Sequence, residues 1–400
     1  MVNPVTQAAA ARNETADALA ERARAMVPAL RDRAVGAEKA RRMPDETHRA
    51  FRDAGFYRLF QPARFGGAEL PYRAIVDIAA ELGRGCGSSA WVFTNLTQPA
   101  LTNAMKDPRA QEEMWADNPD ALCATAHPGG ESSVTPVDGG IVVNGAWHAA
   151  SGIDFADWVN LQVFLRPEGG PAEHRFAAVP KSDFTVVDDW FVTGMSATGS
   201  RTVRMEEVFI PDYRTISSLR MQGGPTPGSA INPGPLYRLP FWSVAGRQFS
   251  APAIGIARGA LELTEADIES RKGAGGATLS EEPVVHLRLS ESDAEIEAAW
   301  ALALRDCVTA TRMTEAGEAP DALDRVRWKR NNAYAVLLAV RAVDRLYDLA
   351  GMRGMAPESH VQRAWRDVHA VACQISVAWN VQAANYGRAR FGLPIRDPRI

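Results

Sequence analysis

Long apolar runs are missing from this 400-residue sequence: its most apolar later stretch, Ala333 to Val340, is cut short by Arg341 and Asp344, well below the roughly 20 residues a membrane-spanning helix needs. Met1 to Leu30 interleaves alanine with Arg12, Glu14, Asp17, Glu21, Arg22 and Arg24, which suits a surface helix and lacks the apolar core of a secretory signal. The expectation is a cytoplasmic chain. Cysteine is scarce: Cys86, Cys123, Cys307 and Cys373 lie far apart without a C-x-x-C pair, so no zinc site, other metal site or disulfide framework is expected. Four buried thiols are the simplest reading. Basic excess is absent too, with 44 Lys and Arg against 48 Asp and Glu and a net charge of -4. Their interspersion leaves no electrostatic footprint for nucleic acid. No G-x-G-x-x-G opens a helix after a strand, so no nicotinamide-binding unit is encoded.

The composition that remains, 46% hydrophobic and 23% charged, fits a globular chain of two or three domains. From about Arg12 to Met114 the pattern is helical. Pro44-Asp45-Glu46-Thr47 opens one helix, since proline tolerates the first turn and acids favour the positive helix end. Tyr72 to Arg84 carries Ile75, Ile78, Ala79 and Leu82 at helical spacing, and Ser88-Ser89-Ala90-Trp91 starts the next helix. Between Ala121 and Arg214 the period changes: Ile141–Val143, Trp158–Val163, Phe176–Val179 and Val203–Ile210 have strand length and composition, punctuated by Gly139-Gly140, Gly169-Gly170 and Pro211-Asp212. A Gly- and Pro-rich loop, Gln222 to Leu239, leads into long helices over Ala251 to Arg271, Ser290 to Ala316, Leu323 to Gly351 and Gln362 to Arg390. Four such helices argue for a bundle. The expected domains are 1–118 helical, 119–222 β, and 223–400 four-helix bundle.

That order resembles the acyl-CoA dehydrogenase fold, mainly α with a central β-barrel-like domain. Local segments then select a branch: Pro44-Asp45-Glu46-Thr47, Phe65-Gly66-Gly67, Ser88-Ser89-Ala90-Trp91-Val92, Ser151 to Trp158, Thr198-Gly199-Ser200 and Trp365 to Ala370. Together they resemble the oxygenase components of two-component flavin-dependent monooxygenases, a family that includes 4-hydroxyphenylacetate hydroxylase and the secosteroid phenol hydroxylase. The resemblance implies a homotetramer, reduced FMN or FAD from a separate NAD(P)H:flavin reductase, and O2. It also implies a C4a-hydroperoxyflavin that oxygenates a small aromatic or heteroaromatic substrate. A dehydrogenase of this fold needs a carboxylate base. Neither Tyr213 to Leu261 nor Val368 to Arg396 contains an Asp or Glu.

By the same resemblance His369 supplies a proton, as a near-neutral imidazole can, and Ser151 sits beside flavin N5. On a continuous helix over Gln362 to Arg390, His369, Cys373, Ser376 and Asn380 form a polar line beside a core stripe of Trp365, Val368, Ala372, Ile375 and Trp379. Thr125, Ala126 and His127 on one edge of the β domain and Gly199 with Ser200 on another are flavin candidates by position. Arg247 and Gly354 are candidates for the ribityl and phosphate portions. Trp91, Gln98, Phe155, Cys373 and Ser376 are the substrate-side candidates. The chain also departs from the phenol hydroxylases, with Pro99 and Phe155 where they carry histidines and no serines near Ala124 and Thr125. Those losses point to a neutral, larger substrate such as an indole or polycycle. N- or S-oxygenation, a dehydrogenase-like activity and a catalytically silent binding scaffold are the other readings.

Overall fold

The computed structural model describes residues 15–166, 172–270, 278–397 and 399. The expected helix before Thr15, the Gly169-Gly170 turn and Arg271 lie outside them. Among the described residues no helix is long and apolar enough to cross a membrane.

The chain opens with α1 (Ala16–Ala40), whose N-cap Thr15 accepts from the Ala18 N–H, followed by α2 (Asp45–Asp53). Next come α3 (Arg73–Gly85), α4 (Gly87–Thr97), α5 (Pro99–Ala104) and α6 (Pro108–Trp115). Buried residues occupy every face of α3, because α1 covers one side and α8 (Arg247–Glu269) the other. Contact with α8 is nearly backbone to backbone. A Cβ on Gly255 would lie 2.4 Å from the Ala80 carbonyl oxygen, and one on Gly259 2.4 Å from that of Arg84. At the rim Glu262 receives Arg84 at 2.6 Å and Arg31 at 2.5 Å. The contact fixes α4 as well, setting Trp91 against Phe249 with ring centroids 4.8 Å apart.

The strands β1 (Cys123–Pro128), β2 (Ser133–Val137), β3 (Gly140–Ala150), β4 (Trp158–Leu165), β5 (Glu173–Pro180), β6 (Thr185–Val187), β7 (Arg201–Pro211) and β8 (Thr215–Ser217) form one sheet. Their order is β6-β7-β3-β1-β4-β5-β8, with β2 on β3. β1 lies centrally, parallel to β4 and antiparallel to β3. Between Trp147 and Ala150 the pairing of β3 with β7 slips. Ala149 takes up the extra residue at φ 58°, a bulge that bends the strand end and re-aims Ser151 just beyond it.

After a short helix α7 (Phe241–Val244), α8 packs with α9 (Pro283–Glu315), α10 (Ala322–Ala350) and α11 (His360–Ala372), while α12 (Trp379–Arg390) packs on α10. The expected single helix over Gln362 to Arg390 is two. It breaks after Ala372, where Gln374 Oε1 takes the Ser376 N–H at 2.6 Å and Gln382 Nε2 donates to the Ile375 carbonyl at 3.0 Å. Side chains thereby satisfy backbone groups that a continuing helix would have paired. Two expectations fall with the break: Ile375, placed in the core stripe, is 51% exposed, and Cys373 is an exposed thiol while the other three cysteines are buried.

α11 is also the anchor of the loop 190–195. The buried Asp367 takes the Met195 N–H on Oδ1 at 2.6 Å, and Arg366 donates to the Thr193 carbonyl. Burial raises the Asp367 carboxyl from 3.8 to about 6.

Gly255→Val should cost about 1–3 kcal/mol in urea unfolding by overpacking the α3–α8 contact. Gly36→Ala, whose Cβ meets nothing within 4 Å inside α1, should stabilise by about 0.4–1 kcal/mol. Because the folded pKa of Asp367 is raised, its neutral form contributes stability below 3.8 that is lost as pH rises through about 6. Thermal unfolding of Asp367→Asn from pH 4 to 7 should lack that component, so the variant gains on the wild type as pH rises.

Candidate active site

Two cavities adjoin where the sheet, α4, α8 and the end of α11 meet. The larger, about 430 Å³, is walled by Trp91, Phe249, Trp190 and Val192, with Ser151, Thr198 and Ser200 supplying hydroxyls. The smaller, about 110 Å³, includes Gln98, Thr125, Phe176, Phe241, Trp242 and Ser376 in its lining. Asn95, His127, Phe249 and Gln374 line both. No Asp or Glu is among the described residues that line either one.

The hydroxyls of the larger cavity form a line whose direction can be worked out. Thr198 Oγ1 donates to the Met195 carbonyl at 2.8 Å. Its one proton is thereby used, so Thr198 must accept from Ser200, 2.6 Å away. Ser200 in turn accepts from Ser151 at 2.7 Å. Ser151 donates its proton to Ser200 while accepting from Trp91 Nε1 at 2.9 Å. Ser151 therefore meets a ligand only as an acceptor, through its remaining lone pair.

His127 is the one imidazole on the cavity walls among the described residues. It stands on β1 paired with His148. Burial first, and then the nearby Arg399 charge, bring it down to about 4, so it is neutral at pH 7.

Trp91, His127, Ser151, Ser200 and Cys373 thus meet in the larger cavity, and Gln98, Thr125, His127 and Ser376 in the smaller. The other candidates stand elsewhere. His369 turns its Nε2 to Asp344 Oδ1 on α10 at 2.9 Å, an oxygen that Trp365 Nε1 also reaches at 2.8 Å. It ties α11 to α10 outside both cavities. Phe155 stacks on His48 with centroids 4.3 Å apart. Arg247, 1% exposed, is caged by the carbonyls of Ser243, Val244 and Ala303, so its charge serves the bundle interior. Gly354 packs on Tyr347. Ala126 is buried in the sheet, and Gly199 is the turn between Thr198 and Ser200 at φ 53°. Asn95, Trp190, Phe249 and Gln374 are wall residues that sequence reasoning passed over. Asn95 follows Trp91 by one helical turn, a spacing that could have flagged it.

A reduced flavin fits the larger cavity. Its volume lies within the range of ligand sites, aromatic faces flank it, and the acceptor at Ser151 complements the N5–H that flavin carries only when reduced.

Residues 13–108 match the acyl-CoA dehydrogenase N-terminal domain family and residues 248–379 the acyl-CoA dehydrogenase C-terminal domain family. The sequence is similar to the flavin-dependent monooxygenase oxygenase subunit HsaA of Rhodococcus jostii (strain RHA1), with 32% identity over 95% of this chain and 100% of that one. The fold is similar to the crystal structure of 3-HSA hydroxylase from Rhodococcus sp. RHA1, with TM-score 0.91, 31% identity, and coverage of 95% of this chain and 98% of that one. It is also similar to XiaF from Streptomyces sp. in complex with FADH2 and glycerol, with TM-score 0.87, 25% identity and 99% of each chain covered. The chain belongs to the oxygenase components of flavin-dependent monooxygenases, on the acyl-CoA dehydrogenase fold.

Proposed function

We propose that the chain hydroxylates a small aromatic compound, using O2 and reduced FMN or FAD delivered by a separate NAD(P)H:flavin reductase. The observation that carries this reading is the directed hydroxyl line ending at Ser151, set in a cavity that no carboxylate lines among the described residues. The bound flavin supplies the activation of O2.

The remaining work falls to this chain's own residues. Ser151 Oγ, fixed by Trp91 and Ser200, accepts from N5–H and holds that proton in place. Trp91, Trp190, Val192 and Phe249 exclude water from the reacting face. Neutral His127 and the Gln374 amide stand at the junction of the two cavities, within the wall that a substrate ring must pass. Among the described residues no carboxylate lines either cavity to perform the proton abstraction that a dehydrogenase requires.

Anaerobic titration should find reduced flavin bound more tightly than oxidised flavin, FMN and FAD each being compared with its own oxidised form. Ser151→Ala should narrow that difference by roughly threefold to tenfold, the worth of one hydrogen bond, and divert oxygen consumption toward H2O2. Equal affinity of the wild type for both redox states would sink the reading. His369→Asn should leave coupling of flavin oxidation to product near the wild-type value and lower stability by less than about 1 kcal/mol, as befits a half-exposed pair. Oxygen-electrode and peroxide assays decide it.

A further inference from the structure

Several polar groups of the smaller cavity are left with only donors to offer. Gln98 Oε1 is taken by the Tyr72 hydroxyl at 2.7 Å, Gln162 Oε1 by His174 Nε2 at 3.0 Å, and Gln374 Oε1 by the Ser376 N–H at 2.6 Å. Each glutamine is left with its amide N–H2 for the cavity. Trp242, 9% exposed, lines the same space, and its buried Nε1 has no hydrogen-bond partner. Such a buried donor is stabilised by any ligand oxygen that pairs with it.

Among the described residues the one full charge on the wall is Arg399, whose guanidinium lies 4.7 Å from the Trp242 ring centroid. Asp397 does not neutralise it alone. That carboxylate is shared, reached by Lys329 Nζ at 2.6 Å and by Arg399 through Nε at 2.8 Å and Nη2 at 3.2 Å, so among the described residues two cations rest on one anion. After burial, the Arg399 charge is the next cause that lowers both His127 and His174, and Asp397 offsets part of it at His174. Gln248 lines the wall with an amide that can accept as well as donate, and Asn95 is the other exception among the amides. It gives its Nδ2 to the Trp91 carbonyl at 2.8 Å and keeps Oδ1 as an acceptor, but it stands at the junction with the larger cavity, away from a single-ring substrate's far end.

We propose that the smaller cavity selects an aromatic carboxylate, its oxyanion held by Arg399 and the Trp242 indole N–H, its ring against Phe176, Phe241 and Phe249. This deepens the proposed function and rests on the larger cavity being the flavin's. It replaces the neutral substrate expected from Pro99 and Phe155. An aromatic acid already carries its anion, so recognition there needs no base beside a phenol.

Calorimetric titration of the intact protein with phenylacetate and indole-3-acetate, each against its methyl ester, tests the assignment. It is run without flavin and again anaerobically with saturating reduced flavin. Whether reduced flavin binds is read first, so failure of the flavin reading is seen separately. In at least one series the acid should bind at least about tenfold more tightly than its ester, as a charge-assisted bond implies. Arg399→Gln should erase that preference, Arg399→Lys should keep part of it, and Trp242→Phe should weaken the acids alone. Should Arg399→Gln fail to fold, the lysine and phenylalanine variants carry the same contrast. Esters binding as well as acids, no binding of either in both series, or a preference that survives loss of the guanidinium would overturn the proposal.

Discussion

The distance between two helix backbones governs the rest of this molecule. Glycines at 83, 255 and 259 let the helix over 73–85 lie directly on the helix over 247–269, with no room for a Cβ at the crossing. That closeness draws the next helix inward until Trp91 and Asn95 face Phe249. The sheet closes the remaining side. The cavities are therefore a product of packing between helices far apart in the chain, those over 73–97 and that over 247–269, and larger side chains at those glycines would separate their walls.

Much of this was legible in the sequence. The change in periodicity placed four of the eight strands, and the motif around Ser151 pointed to a residue that does sit among the cavity hydroxyls. Individual side-chain destinations were harder to see. His369 has the right chemistry for a proton donor, but an Asp 25 positions earlier offers its imidazole a partner, and periodicity carries no information about a competitor on a neighbouring helix. Arg247 reads as a free cation until the carbonyls of a turn and of a distant helix enclose it. The break after Ala372 depends on where the Gln374 and Gln382 side chains go, and helical spacing alone predicts continuity through them. That same break brings Gln374 to both cavities.

The two cavities differ in what they ask of a ligand. In the larger, the hydroxyls hand their protons away from the ligand and leave an acceptor at Ser151. In the smaller, glutamine amides, an indole N–H and a guanidinium leave donors. Complementary polarity of this kind separates two ligands without a wall between them, since each would leave buried groups unpaired in the other's place.

Met195 joins these features in a single residue. At φ 55° it adopts a backbone shape that side-chain-bearing residues rarely take; its N–H is held by Asp367 on the bundle, and its carbonyl receives the end of the hydroxyl line. The orientation of a serine on the sheet is thus referred, through one residue, to the position of a helix in another domain. A β domain transplanted without that helix would keep its strands and its serine yet lose the fixed end of the proton chain. The polarity of Ser151 belongs to the assembled molecule, and the strand that carries the serine does not determine it.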